Sequence, residues 1–267
     1  MEILVCVKQV PDDSVEIKFN EKTGAPMLDG ITPIVNAFDG YALEMAARYK
    51  EAHGGTITVV SIGTEGAKDA LKSCLAVGAD KAFLVSDESF GGSDTFATSY
   101  ILSKAVNKIE ETIGTKFDVI FCGLEATDYS TRQVGSQLAQ MLGVGQVTSI
   151  VAIEPKNNGI VAKQETEEGY KMIEASTPCV VTVTKPDYDP RYPTMRNKMA
   201  ARKVDVPVFT AADLGTEESK VGVKGSFVKV VRTFAPPKKA AGVKIQEESG
   251  VESAAKAVSM MAEAKIL

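Results

Sequence analysis

Short apolar runs rich in β-branched residues alternate with longer helical stripes along the first half of this 267-residue chain, and no other feature restricts its fold so tightly. The runs are Ile3–Val7, Thr56–Ile62, Lys81–Val85 and Phe117–Cys122. Each is short and almost continuously apolar, the pattern of strands buried on both faces. Between them the spacing predicts helices over about Asp39–His53, Glu65–Val77, Asp94–Thr112 and Ser130–Leu142. In the third, Ala97, Ile101, Ala105 and Ile109 recur every four residues and make one apolar stripe. Parallel neighbours need a right-handed crossover, which a helix supplies. The expected fold class is therefore α/β, with a doubly wound, mostly parallel, Rossmann-like sheet.

After Gly145 the pattern changes. Val147–Ile153, Gly159–Gln164, Tyr170–Glu174 and Cys179–Thr184 read as strands separated by turn-rich and charged pieces, hence as a hairpin element appended to the sheet. From Lys185 come Pro186, Pro190, Pro193, Pro207, Pro236 and Pro237 with little periodicity, until a helical stripe returns through Val251, Ala254, Ala255, Val258 and Met261. The expected organisation is an α/β domain over 1–184, with 145–184 its strand-rich part. Residues 185–267 follow as an irregular loop and C-terminal arm. A long irregular segment of this kind usually serves a function or a partner.

Composition removes several classes of function. Basic residues number 30 against 35 acidic, a net charge of −5, and no basic run is long enough for a nucleic-acid footprint. Lys238, Lys239 and Lys244 read as solvated surface. No apolar run approaches a membrane span, and the start Met1–Val7 lacks the basic region and cleavage pattern of a secretion signal, so a cytoplasmic location is expected. Cys6, Cys74, Cys122 and Cys179 are far apart and sit in or beside apolar runs, which suits buried free thiols better than a metal or redox pair. His53 is the single histidine, which argues against triads and multi-histidine metal sites. No catalytic side chain and no metal ligand is expected; any chemistry belongs to a bound cofactor.

In an open parallel sheet, ligands gather beyond the carboxyl ends of the strands. Four loops there are rich in groups suited to a nucleotide: Cys6–Asp12, Asn36–Gly40 with Asp39 as the expected N-cap, Gly91–Ser99, and Gly123–Val134. At a helix start, unpaired amides and a partial positive charge stabilise a phosphate without a lysine. Ser130 and Gln133 have capping-box spacing, which predicts a helix start at Ser130. There is no GxGxxG after the first strand and no GxxxxGK[ST], so neither standard phosphate fingerprint applies.

These residues resemble the beta subunits of electron-transfer flavoproteins along nearly the whole chain. Val5–Asp12 looks like that family's opening strand and loop, and Asn36–Glu44 looks like its Asn-Pro-Phe-Asp/Glu segment. Ala76–Asp80 resembles its Ala-Met-Gly-Ala-Asp turn, Gly123–Gly135 its nucleotide-binding loop, and Thr177–Thr182 its signature region. Pro190–Met195 resembles the loop that docks on partner dehydrogenases. Four positions depart from the pattern. Ala37 stands where the family has proline, and Thr166 where it prefers an acid or glycine. Asp12 and Asp13 lie where some members place an aromatic over the alpha-subunit flavin.

The resemblance implies an adenine-nucleotide-binding subunit paired with a larger alpha subunit that holds one FAD. The segment Gly92–Ser99 is similar to the pattern Asp-Thr-x-Ala-Thr-Ser of the electron-bifurcating class, which implies a second FAD in this subunit. In that class the flavin exchanges hydride with NAD(H), and ferredoxin and a flavin dehydrogenase of the acyl-CoA or lactate type are partners. Asp94, Thr95, Thr98, Thr127, Thr131, Gln133 and Val134 would hold the pyrophosphate and ribose, and Cys6, Asn36 and Asp39 would surround the adenosine. Ile62, Gly123, Asp128 and Ser130 complete the rim, Phe38 matches an aromatic brought near the alpha-subunit flavin, and Arg191, Tyr192 and Met195 would dock the partner. Two alternatives remain open: a single-FAD subunit keeping only structural AMP, and a non-redox module holding AMP or ATP.

Overall fold

The computed structural model describes residues 1–12, 14–20, 24–234 and 241–267; Asp13, Pro236, Pro237, Lys238 and Lys239 lie outside the described residues. Among the described residues nine strands form one sheet. In chain order they are β1 (Glu2–Cys6), β2 (Thr56–Ile62), β3 (Lys81–Val85), β4 (Val119–Gly123), β5 (Gly145–Lys156), β6 (Gly159–Thr166), β7 (Gly169–Ser176), β8 (Cys179–Val183) and β9 (Val208–Phe209). Across the sheet they lie β7-β6-β5-β8-β4-β1-β2-β3-β9, parallel from β5 to β9, with β6 and β7 joined as antiparallel hairpins. The α/β class and the parallel body follow the sequence reading, and β5, β6 and β7 form the expected hairpins; Cys179–Val183, read as part of the same appended element, instead lies inside the sheet as β8, parallel to both β5 and β4, because its continuous apolar run is buried on both faces.

Six helices matter for the site: α1 (Ala37–His53), α2 (Lys68–Leu75), α3 (Thr95–Ile113), α4 (Val134–Leu142), α5 (Met195–Arg202) and α6 (Gly250–Glu263). Side chains alternate across the sheet because the strand period is two. Ile3, Val5, Ile57 and Val59 face α1 and α2, packing on Leu43, Ala46 and Leu71. Leu4, Val60 and Ile120 face α3 and α4, packing on Ile101, Ala105, Ile109 and Leu138. The stripe Ala97, Ile101, Ala105 and Ile109 is fully buried, so one helical face drives this packing.

Several boundaries differ from the sequence expectation. α1 begins at Ala37, with Asn36 in the N-cap position, and Asp39 lies inside its first turn. α4 begins at Val134, not Ser130; Arg132 stands in the left-handed region at φ 58°, a conformation no helix continues, and no capping box forms at Ser130 and Gln133. Beyond Lys185 the chain is more regular than expected. α5 forms, and β9 extends the sheet beside β3, with Phe209 stacked on Phe83 at 5.5 Å. α6 forms with a capping box between Ser249 and Glu252, yet buries none of its residues. No helix among the described residues is long and apolar enough to cross a membrane.

Candidate functional site

The strand order reverses at β1. The chain runs from β1 through β2 to β3 on one side, then returns to place β4 on the other. The carboxyl ends of β1 and β4 thus flank a switch point, where loops must diverge and leave a crevice. The expected rim loops converge on it.

Asp39 holds the two sides together. Its Oδ2 accepts from the backbone N–H of Lys8 at 2.7 Å and its Oδ1 from that of Gly123 at 3.1 Å, so one carboxylate bridges the chain just beyond β1 and the last residue of β4. Burial pushes this carboxyl up to about 7, against the downward pull of those two N–H groups, the Asn36 side chain and the Lys8 charge. The bridge leaves no room above Gly123. A Cβ there would lie 2.3 Å from Asp39 Oδ1 and 2.8 Å from the backbone of Phe38 and Asp39. Glycine lets the start of α1 approach the end of β4 this closely.

Asn36 acts on the loop after β4. Its buried side-chain amide donates to the carbonyl of Glu125 at 2.8 Å, and its Oδ1 accepts from the N–H of Thr127 at 3.0 Å. The side chain therefore shapes the 124–127 loop instead of capping its own helix. Lys8 Nζ reaches both oxygens of Asp128 at 2.7 and 2.8 Å, and Arg132 Nε reaches Glu125 at 2.6 Å, so two ion pairs pin the same loop. Sequence reasoning passed over Lys8, Glu125 and Arg132; their only signal was opposite charge on loops that a parallel sheet brings to one edge.

The helix starts near residues 95 and 134 face each other, with Thr95 Oγ1 donating to Gln133 Oε1 at 2.9 Å and Ser99 Oγ to the Val134 carbonyl at 3.2 Å. The two starts differ in their free donors. No side chain caps α4, so the amides of its first turn stay available. At α3, Asp94 Oδ1 accepts from the N–H of Ala97 at 2.9 Å, while Oδ2 accepts from those of Phe227 and Val228 at 2.8 and 3.0 Å. Partial burial raises the Asp94 carboxyl, but these N–H groups hold it below the usual range overall. The two starts are therefore not alike: α3 offers the hydroxyls of Thr95 and Thr98, and its cap is the chain's own carboxylate. Ser226–Val228, 132 to 134 residues from Asp94, carried no sequence signal for this contact.

The other expected residues take plain positions. Cys6 and Cys122 are register partners on β1 and β4, and the Cys6 thiol together with burial pushes the Cys122 thiol well up. All four cysteines are buried free thiols. Ile62 ends β2, half-buried, and Phe38 is half-buried in the first turn of α1. Ser130 and Thr131 are exposed and make no side-chain hydrogen bond among the described residues. Arg191 is engaged within the chain by Glu44 and Glu51 of α1, whereas Tyr192 is 93% and Met195 73% exposed. Among the described residues no group of three or more His, Cys, Asp or Glu is placed to hold a metal ion.

A doubly wound α/β protein with a polar, amide-bearing rim at its switch point is the class that fold and site define. Residues 29–214 match the family described as Electron transfer flavoprotein domain. The chain is 41% identical over 256 residues to the electron transfer flavoprotein subunit beta of Megasphaera elsdenii, covering 95% of this chain and 94% of that protein. It is 37% identical over 268 residues to the caffeyl-CoA reductase-Etf complex subunit CarD of Acetobacterium woodii, with full coverage of both. It is 37% identical over 251 residues to the acryloyl-CoA reductase electron transfer subunit gamma of Anaerotignum propionicum, covering 92% of each. The chain belongs to the electron-transfer flavoprotein family, as a beta-type subunit. Its role is electron transfer in association with flavin and an alpha subunit.

Proposed function

We propose that the switch-point rim holds the adenosine diphosphate half of an FAD, and that this subunit exchanges electrons between NAD(H), ferredoxin and a partner flavin dehydrogenase by flavin-based bifurcation. The observation that carries this reading is the uncapped start of α4 facing Thr95 and Thr98 across the Thr95–Gln133 contact. Free amides there suit one phosphate and the α3 hydroxyls suit a second. Cys6, Asn36, Asp39, Ile62, Gly123, Thr127 and Asp128 shape the adenosine side, with Ser130, Thr131 and Val134 at the loop and helix entrance. Flavin bound there supplies hydride and one-electron chemistry; the residues of this chain bind and orient it.

A second reading has one observation in its favour. Asp94 puts a carboxylate at the start of α3, which disfavours a phosphate there and suits a subunit holding AMP on α4 alone. Releasing the bound nucleotides from the purified heterodimer and quantifying them separates the two. Two FAD per heterodimer are expected; one FAD plus one AMP overturns the FAD reading, and AMP or ATP without flavin overturns both.

Residues 185–267 serve in this reading as docking loop and arm, with 1–184 the nucleotide-binding body. The exposed Val251, Val258 and Met261 of α6 suit a contact with the alpha subunit. Tyr192 and Met195 suit a transient contact with the dehydrogenase, and Phe38 lies near the alpha-subunit flavin. The names of the CarD and acryloyl-CoA reductase relatives favour an acyl-CoA type of dehydrogenase over a lactate type. Four buried free thiols agree with a reducing, cytoplasmic setting.

A further inference from the structure

We propose that Arg191 is a positioning residue, not a docking contact: together with Glu44, Glu51, Arg48 and Tyr188 it holds the 188–194 loop in the one shape that presents Tyr192 and, at the start of α5, Met195. This deepens the docking reading above and rests on it. The side chain of Glu44 is only 3% exposed and lies on the face of α1 that the loop crosses. Its Oε2 accepts from the Arg191 backbone N–H at 3.1 Å and from Arg191 Nε at 2.8 Å. Its Oε1 accepts from Arg191 Nη2 at 3.2 Å and from Arg48 Nε at 2.7 Å. Glu51, two turns along the helix, binds the far edge of the same guanidinium through Nη1 and Nη2. Arg48 lies 3.9 Å over the ring of Tyr188, so both guanidinium groups tie the loop to α1.

The charges balance, two guanidinium groups against two carboxylates. Burial raises the Glu44 carboxyl, yet Arg191 and Arg48 hold it below the usual range, so it stays ionised and the pairing is charge-assisted. Apart from the buried Pro186 and the half-buried Tyr188 and Pro190, residues 185–193 have few ties. They join no strand, Pro186, Pro190 and Pro193 lack an N–H, and Arg191 is the one residue there whose backbone N–H has a partner among the described residues. A loop held in its bound shape beforehand loses less entropy on docking. Since the guanidinium of Arg191 is occupied within the chain, Tyr192 and Met195 are left as the surface that a partner meets.

The test uses the heterodimer with its alpha subunit, in Arg191→Lys, Glu44→Gln and Met195→Ala forms, with a purified acyl-CoA dehydrogenase as acceptor. Hydrogen exchange over 187–193 and the kinetics with varied dehydrogenase are read together. Arg191→Lys keeps the charge but not the fork, and leaves α1 untouched should Glu44→Gln fold poorly. The expected result for both is faster exchange and a KM for the dehydrogenase raised about threefold to tenfold at unchanged kcat. Met195→Ala is expected to raise KM without altering exchange. Unchanged exchange in Arg191→Lys and Glu44→Gln overturns the inference, as does faster exchange with an unchanged KM. An unchanged KM in Met195→Ala overturns the docking reading instead, while the exchange data still decide whether Arg191 braces the loop.

Discussion

Replacing Gly123 by alanine tests whether the contact between α1 and the end of β4 builds the site. The added Cβ would sit 2.3 Å from Asp39 Oδ1 and 2.8 Å from two backbone atoms, Phe38 C and Asp39 N; the carboxylate can turn aside, but the backbone atoms cannot without shifting the start of α1. Overpacking of this kind costs about 1–3 kcal/mol. The displaced carboxylate also loses its bond from the Gly123 N–H, worth about 1.5–3 kcal/mol for a charged acceptor. Together the cost is about 2.5–6 kcal/mol, or roughly 5–24 °C in Tm at about 2–4 °C per kcal/mol for a chain of this size. Gly145→Ala is the control, since its Cβ meets nothing within 4 Å and its φ is not positive. Thermal unfolding of both heterodimers, followed by circular dichroism, measures the difference. Because Asn36 and Asp39 move with the start of α1, Gly123→Ala should also lose nucleotide on gel filtration. A Gly123→Ala protein that melts with Gly145→Ala and keeps its nucleotide refutes the reasoning.

The buried Asp39 carboxyl sets a pH dependence. Its folded value of about 7 exceeds the ordinary 3.8, so folding takes up a proton between these values. Its contribution is full below about pH 4 and is lost as pH rises through 7; urea midpoints should fall from pH 5 to pH 8, and Asp39→Asn should flatten that slope. Asp94→Ala removes the cap of α3, costing about 1 kcal/mol, and frees Phe227 and Val228; limited proteolysis should then cut near residue 228 sooner than in the parent. Lys8→Met breaks a part-exposed ion pair and should cost less than about 1 kcal/mol in urea unfolding. Native thiol labelling should be slow at Cys74 and Cys179, since burial pushes them up to about 12 and 11.

Periodicity made the body of the fold legible. Thr56–Ile62 and Lys81–Val85 form as read, and Ala97, Ile101, Ala105 and Ile109 are buried, because a residue's face is set by local geometry and burial acts on that face. Helix starts were less legible. Asn, Asp and Ser can bond to their own turn or to a distant loop with equal chemistry. Asn36 and Asp39 chose the loops after β4 and β1, and Gln133 chose Thr95.

The linear order of residues alone determined the α/β class, the parallel body and the family motifs, all of which depend on spacing along the chain, whereas the place of Cys179–Val183 inside the sheet was decided by tertiary pairing. The tertiary structure alone decided that Asp94 is shared with residues 226–228, that Lys8 meets Asp128 and that Arg191 turns inward to Glu44. Those choices join groups up to 147 residues apart, and the energy of a polar contact depends on which partner the packed sheet brings within reach.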